Sequence, residues 1–168
     1  MMFHISEEPG IELFEPRASE YTDEPVVWAI DEERIYNYLL PRDCPRVTFY
    51  AGSETADDDI KTFLGECRAV VAVESGWVER IGHARLYRYH MPRAAFQLQD
   101  RCAGYHVSTV PVRPEGVELI TNPAAELRRR NVELRIVPDL WPLRDAVFSS
   151  TLQFSFIRMR NALPRKDS

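Results

Sequence analysis

Two short segments place an imidazole and a hydroxyl two residues apart. They are Met2-Phe3-His4-Ile5-Ser6 near the start and Gly104-Tyr105-His106-Val107-Ser108 further on. On an extended strand that spacing points both polar groups to one side, with Phe3 and Ile5 on the other. An imidazole beside a hydroxyl can hold a ribose or a phosphate, and His106 can move a proton near neutral pH. If the two strands pair, they line one cleft. The competing structural reading is a polar strand edge ending in turn chemistry, since Ser6 precedes Glu7-Glu8-Pro9-Gly10 and Ser108 precedes Pro111.

Other residues add further chemistry. Trp28, Tyr36 and Tyr38 follow one another closely, and two tyrosines two apart on a helix cannot share a face. One of them is therefore expected inside and the other at a cleft. Pro41-Arg42-Asp43-Cys44-Pro45-Arg46 is a rigid loop displaying guanidinium groups, suited either to phosphate or to a structural corner. Cys44 between arginines would have a lowered pKa, yet with no sequence-local His partner it reads as an inert thiol. A nucleophilic role for Cys44 or Cys102 is the third-ranked reading. Glu74 ends an apolar strand, where a carboxylate serves equally for catalysis or for capping a helix. His4, His83, His90 and His106 lack metal-ligand spacing, so no metal is expected. Nucleotide-cradling glycine motifs, zinc spacings and nucleophile elbows are missing from the sequence.

The elements that must position these groups follow from periodicity. Strands are expected at Met2–Ser6, Val26–Ile30, Arg46–Ala51, Arg68–Glu74, Ala84–Met91, Phe96–Gln99, Tyr105–Ser108, Val117–Ile120 and Val132–Val137. Glu7–Glu24 reads as loop, with Ile11, Leu13 and Phe14 tucked onto the core. Asp31 reads as the cap of a helix ending at Leu40-Pro41, and Asp57–Leu64 as a short helix stopped by Gly65. Gly76–Ile81 reads as a helical turn, and Asn122-Pro123 opens a helix to Arg130. From Leu140 to about Asn161 the spacing of Val147, Phe148, Leu152, Phe156 and Met159 predicts one long amphipathic helix. Strands and helices without βαβ alternation indicate an α+β fold with a split, mostly antiparallel sheet and flanking helices.

At 168 residues, 45% hydrophobic and 11% aromatic, the chain suits a single domain with a true core. Its net charge of -5 argues against bulk nucleic-acid binding. Three cysteines without CxxC spacing, no signal-like start and no membrane-length apolar run give a soluble cytoplasmic reading. Oligomeric state is not legible.

Phe3-His4-Ile5-Ser6 followed by Phe14-Glu15-Pro16 resembles the opening strand of the ADP-ribosyltransferase-like fold. Val27-Trp28-Ala29-Ile30 with Asn37-Tyr38 resembles its second element, and Tyr105-His106-Val107-Ser108 with Pro111-Val112 its late strand. The resemblance implies NAD or a related nucleotide as ligand, with His4 and Ser6 on the ribose and Tyr38 stacked on the ring. Trp28 would line the site, Arg42 would meet a phosphate, and Tyr105 and His106 would stand at the catalytic position. The late Glu of that fold is missing, which leaves ADP-ribosyl transfer, RNA 2'-phosphate transfer and non-catalytic binding as alternatives. Glu74 or Glu118 could substitute for it. Over its whole length, including Leu40–Arg46 and Ser150–Phe156, the sequence also resembles a bacterial family of unknown function.

Overall fold

The structure, a computed structural model, describes residues 1–166. Its first five strands are β1 (Met2–Ser6), β2 (Val27–Asp31), β3 (Arg46–Tyr50), β4 (Ala69–Glu74) and β5 (Leu86–Met91). The next five are β6 (Gln97–Asp100), β7 (Tyr105–Ser108), β8 (Gly116–Ile120), β9 (Val132–Val137) and β10 (Gln153–Ile157). The helices are α1 (Asp57–Asp59), α2 (Val78–Gly82), α3 (Pro123–Arg129) and α4 (Trp141–Phe148). The chain divides into two compact units, each assembled from two segments: Met1–Leu39 with Arg85–Thr121, and Leu40–Ala84 with the chain from Asn122 on. The α-helices all belong to the second unit, and among the described residues one strand pair alone is parallel, so the fold is α+β and mostly antiparallel. Among the described residues no helix is long and apolar enough to cross a membrane.

The first unit is one six-stranded antiparallel sheet in the order β6-β7-β2-β1-β5-β8. Met2, Val27, Ala29, Tyr89 and Met91 make one of its faces, onto which Phe14, Phe96 and Val112 pack. The segment after β1 runs over this face as loop, as its Pro, Gly and charged residues predict. Phe14 exchanges backbone hydrogen bonds with Val112 (2.8 and 2.9 Å), and the Tyr89 hydroxyl ties the loop down. That hydroxyl donates to the Glu8 carbonyl (2.6 Å) and accepts from the Ile11 amide (3.1 Å). Leu13, expected inside, is exposed. Extended backbone at Phe14 turns alternate side chains outward, so only one of the two neighbours can face the core.

The second unit carries the four-stranded sheet β10-β3-β4-β9. All six residues of β4 are buried, as a run of Ala and Val covered on both faces should be. α1 continues as a π-helical turn (Ile60–Leu64) that ends at Gly65, whose φ of +58° a residue with a Cβ adopts only at a cost. α3 is capped as its sequence predicts: the Asn122 side chain accepts from the Ala125 amide, and Pro123 takes the first helical position.

Two expectations are overturned. The long helix from Leu140 to Asn161 is α4 followed by a strand, because Gln153-Phe154-Ser155-Phe156-Ile157 alternates with period two and pairs along its whole length with β3. Helical spacing of Val147, Leu152 and Phe156 is produced by two different elements meeting one core. The helix after Asp31 is only a 3-10 turn, Ile35–Tyr38. Asp31 does accept from the Arg34 amide (2.9 Å), but Tyr-Asn-Tyr has weak helix propensity and Pro41 blocks extension.

The corner Pro41–Arg46 is built around a buried arginine. Arg46 is 1% exposed, and its guanidinium donates to the carbonyls of Pro41 (2.7 Å), Cys44 (2.9 Å) and Arg42 (3.2 Å). Two prolines curl the chain so that its carbonyls converge, and one rigid five-donor fork satisfies them. Arg46→Ala should therefore lower stability by about 3 kcal/mol in chemical denaturation, through buried carbonyls left unmet. Arg46→Met, which fills the space without the donors, should recover little of that loss.

Candidate functional site

β1 and β2 lie side by side at the centre of the six-stranded sheet, but they pair only at Met2–Asp31 and Phe3–Ile30. Beyond that point β1 keeps its register with β5 through Ser6, and β2 keeps its own with β7 through Val27. The two central strands therefore part, and the sheet is split between them. At the parting the His4 ring Nδ1 lies 2.9 Å from the Trp28 carbonyl oxygen. A carbonyl can only accept, so Nδ1 carries a proton and donates it. Phe14 lies against this imidazole from one side, with ring centroids 4.6 Å apart.

Register and alternation divide the sequence-predicted residues between two faces. His4, Ser6 and His106 share the face covered by the Phe14 loop, as does Ser108. Trp28 and Tyr105 point to the other face. There the Trp28 and Tyr105 rings meet edge to face at 5.5 Å, and the hydroxyls of Tyr38 and Tyr105 are hydrogen-bonded. All three of these aromatics are half-buried, whereas Tyr36 is 1% exposed. Tyr36 is thus the inward one of the two tyrosines, and both sit on a 3-10 turn rather than a helix.

β1 and β7 do not pair with each other. β2 lies between them, so the expected direct pairing of the two His-x-Ser strands is replaced by a row spanning three strands. Tyr105 and His106 face opposite ways, because neighbours on a strand must. His106 is 7% exposed, and its Nδ1 is 3.2 Å from the Gly104 carbonyl. Ser6 accepts from the Glu8 amide (3.0 Å), the turn chemistry its sequence also permits. Ser108 is 3% exposed and closes a similar turn onto Val110. Arg42 belongs to the second unit, where its side chain is exposed and its carbonyl serves Arg46.

The order of elements and their chemistry now stand beside one comparison. A family model described as a family of unknown function, DUF6886, matches residues 3–162. The chain belongs to this family. No curated protein and no solved structure matches it. The DUF6886 match runs from the first strand to beyond β10, so it takes in the split and both His-x-Ser segments.

Both carboxylates that could stand in for a late Glu have structural partners in this DUF6886 chain. Glu74 is 3% exposed and accepts from two backbone amides, Leu163 (3.0 Å) and Leu140 (3.3 Å). It fastens the start of α4 and the C-terminal segment. Glu118 lies on β8, four strands from β7 and so roughly 19 Å away across the sheet. Its carboxylate is held by Arg88 (Nε at 2.8 Å) and lies 3.5 Å from the His90 Nε2. The hydrogen bonds from Arg88 pull its pKa below the ordinary value. This Arg88–Glu118–His90 group was not legible beforehand, because it arises from cross-strand register alone.

Cys44 corrects another expectation. Burial pushes its thiol up to about 11, outweighing the neighbouring Arg46 charge. At pH 8 roughly one thiol in a thousand is then ionised. Iodoacetamide should label exposed Cys102 on the folded protein and leave Cys44 unlabelled until denaturant is added, as mass spectrometry of the peptides will show. Because the folded pKa of Glu118 lies below its unfolded value of about 4.3, its contribution is complete above that pH and fades as pH falls through the folded value. Glu118→Gln should cost at most about 1 kcal/mol at pH 7, and the difference from the unaltered protein should close below about pH 4.

Proposed function

We propose that this chain binds a nucleotide of the NAD class at the split between β1 and β2, as an ADP-ribosyltransferase-like or RNA 2'-phosphotransferase-like protein. The observation that carries the reading is the parting of β1 from β2, with an oriented imidazole set into it. A split sheet gives a flat ring an entry between strands. Phe14 covers the face that carries His4, and Trp28, Tyr105 and Tyr38 stand on the other, so a ligand meets both only by passing through the split. These aromatics supply π-faces for a base or nicotinamide, and the His4 imidazole, oriented by the Trp28 carbonyl, stands at the split where a ribose would pass.

Binding is better supported than catalysis. Tyr105 and His106 occupy the late strand where the resembled fold has its Glu, and they face opposite ways. Glu74 and Glu118 are each engaged by structural partners. A non-catalytic nucleotide-binding module is the second reading, favoured by that commitment of both carboxylates.

Calorimetric titration with NAD and with ADP-ribose tests the proposal. The intact protein should bind one of them. His4→Ala and Tyr38→Ala should each raise Kd about tenfold, or about 1.4 kcal/mol. Absence of binding to either compound by the intact protein would overturn the reading.

A further inference from the structure

The two sheets have four edges, and three of them are guarded against pairing with another chain. β6 carries Asp100 and a register shift between Leu98 and Asp100. β8 has Glu118 at its centre, so a two-fold self-pairing would oppose like charges. β9 carries the Glu133–Arg135 ion pair (2.9 Å). β10 has none of these devices: Gln153-Phe154-Ser155-Phe156-Ile157 contains no charge and no proline, and its register on β3 is unbroken. Unprotected edges of this kind are templates for strand addition.

The surface beside this edge has the composition of a contact site. Phe154 and Phe156 stack at 4.6 Å and 12°, and Phe148 of α4 lies 5.9 Å from Phe154. Phe148 is 57% exposed and Phe154 37%. Arg144 stands over Phe148 (4.8 Å) and Phe156 (4.9 Å), with Asp145 beside it at 3.2 Å. Aromatic residues and Arg held rigid against one another are what buried interface centres are made of.

We infer that β10 pairs antiparallel with β10 of a second copy of this chain, joining two four-stranded sheets into one of eight strands. A two-fold axis perpendicular to the sheet at Ser155 keeps the same face up in both copies. It sets Phe154 against the copy's Phe156 and Ser155 against its own equivalent. The phenyl rings then lie on one face, and no charge opposes a like charge. Beside the rings, Asp145 is held between Arg144 (3.2 Å) and Arg165 (2.6 Å), so α4 brings no uncompensated like charge to a two-fold contact. The same operation at β8 would bring two ionic Arg88–Glu118 pairs together, whereas at β10 it brings no charge to the axis.

Sedimentation velocity of the full chain from about 1 to 200 μM tests this. A dimer is expected, with β10 amides increasingly protected from hydrogen exchange as concentration rises. S155K, which places two positive charges at the axis, should raise the dimer dissociation constant at least tenfold while the far-ultraviolet circular dichroism is unchanged. If S155K does not fold, the concentration dependence of β10 exchange in the unaltered protein decides. A monomer throughout that range, or a dimer whose β10 amides exchange independently of concentration, would overturn the proposal and leave the edge to a strand from a different protein.

Discussion

Two neighbouring strands that cease to pair leave backbone carbonyls facing a gap. In the centre of the six-stranded sheet it is the His4 imidazole that meets the Trp28 carbonyl there. A buried carbonyl without a donor costs about 1–3 kcal/mol, so the split requires such a donor. The same bond puts a proton on Nδ1 and fixes the orientation of the ring. Phe14 then holds the imidazole from one side through a loop that Tyr89 anchors at Glu8 and Ile11. The geometry of the candidate site thus depends on an interaction that is first of all structural.

The second unit applies the same solution with larger groups. Arg46 collects the carbonyls of the Pro41–Cys44 turn, and Glu74 collects the amides of Leu140 and Leu163. Ionic side chains are used there to saturate backbone that leaves its strand. Their burial argues for positioning rather than for turnover, and the raised pKa of Cys44 in the same corner points the same way.

Much of this was legible in the sequence because it is local. Strand alternation gave β1, β5 and β7, and Asn122-Pro123 gave the start of α3. His4 and His106 could be read as partners on one face from their identical spacing to Ser6 and Ser108. What lies between them could not, since strand order is set by non-local register. That is why Tyr105 and His106 could be taken together in sequence, although alternation turns them apart. Arg88, Glu118 and His90 were invisible for the same reason, converging only when β5 aligns with β8. The single helix expected from Leu140 to about Asn161 failed because two elements covering one core imitate a single 3.6-residue period.

The most direct measurement is a long-range proton–nitrogen correlation spectrum of the histidine rings at pH 8 and above. If His4 bridges the split to the Trp28 carbonyl, its neutral ring will show the proton on Nδ1, the tautomer less common in free imidazole, with Nε2 at the shift of an unprotonated nitrogen. A His4 ring protonated on Nε2, or averaging between tautomers, would contradict the bond on which the split and the proposed site rest.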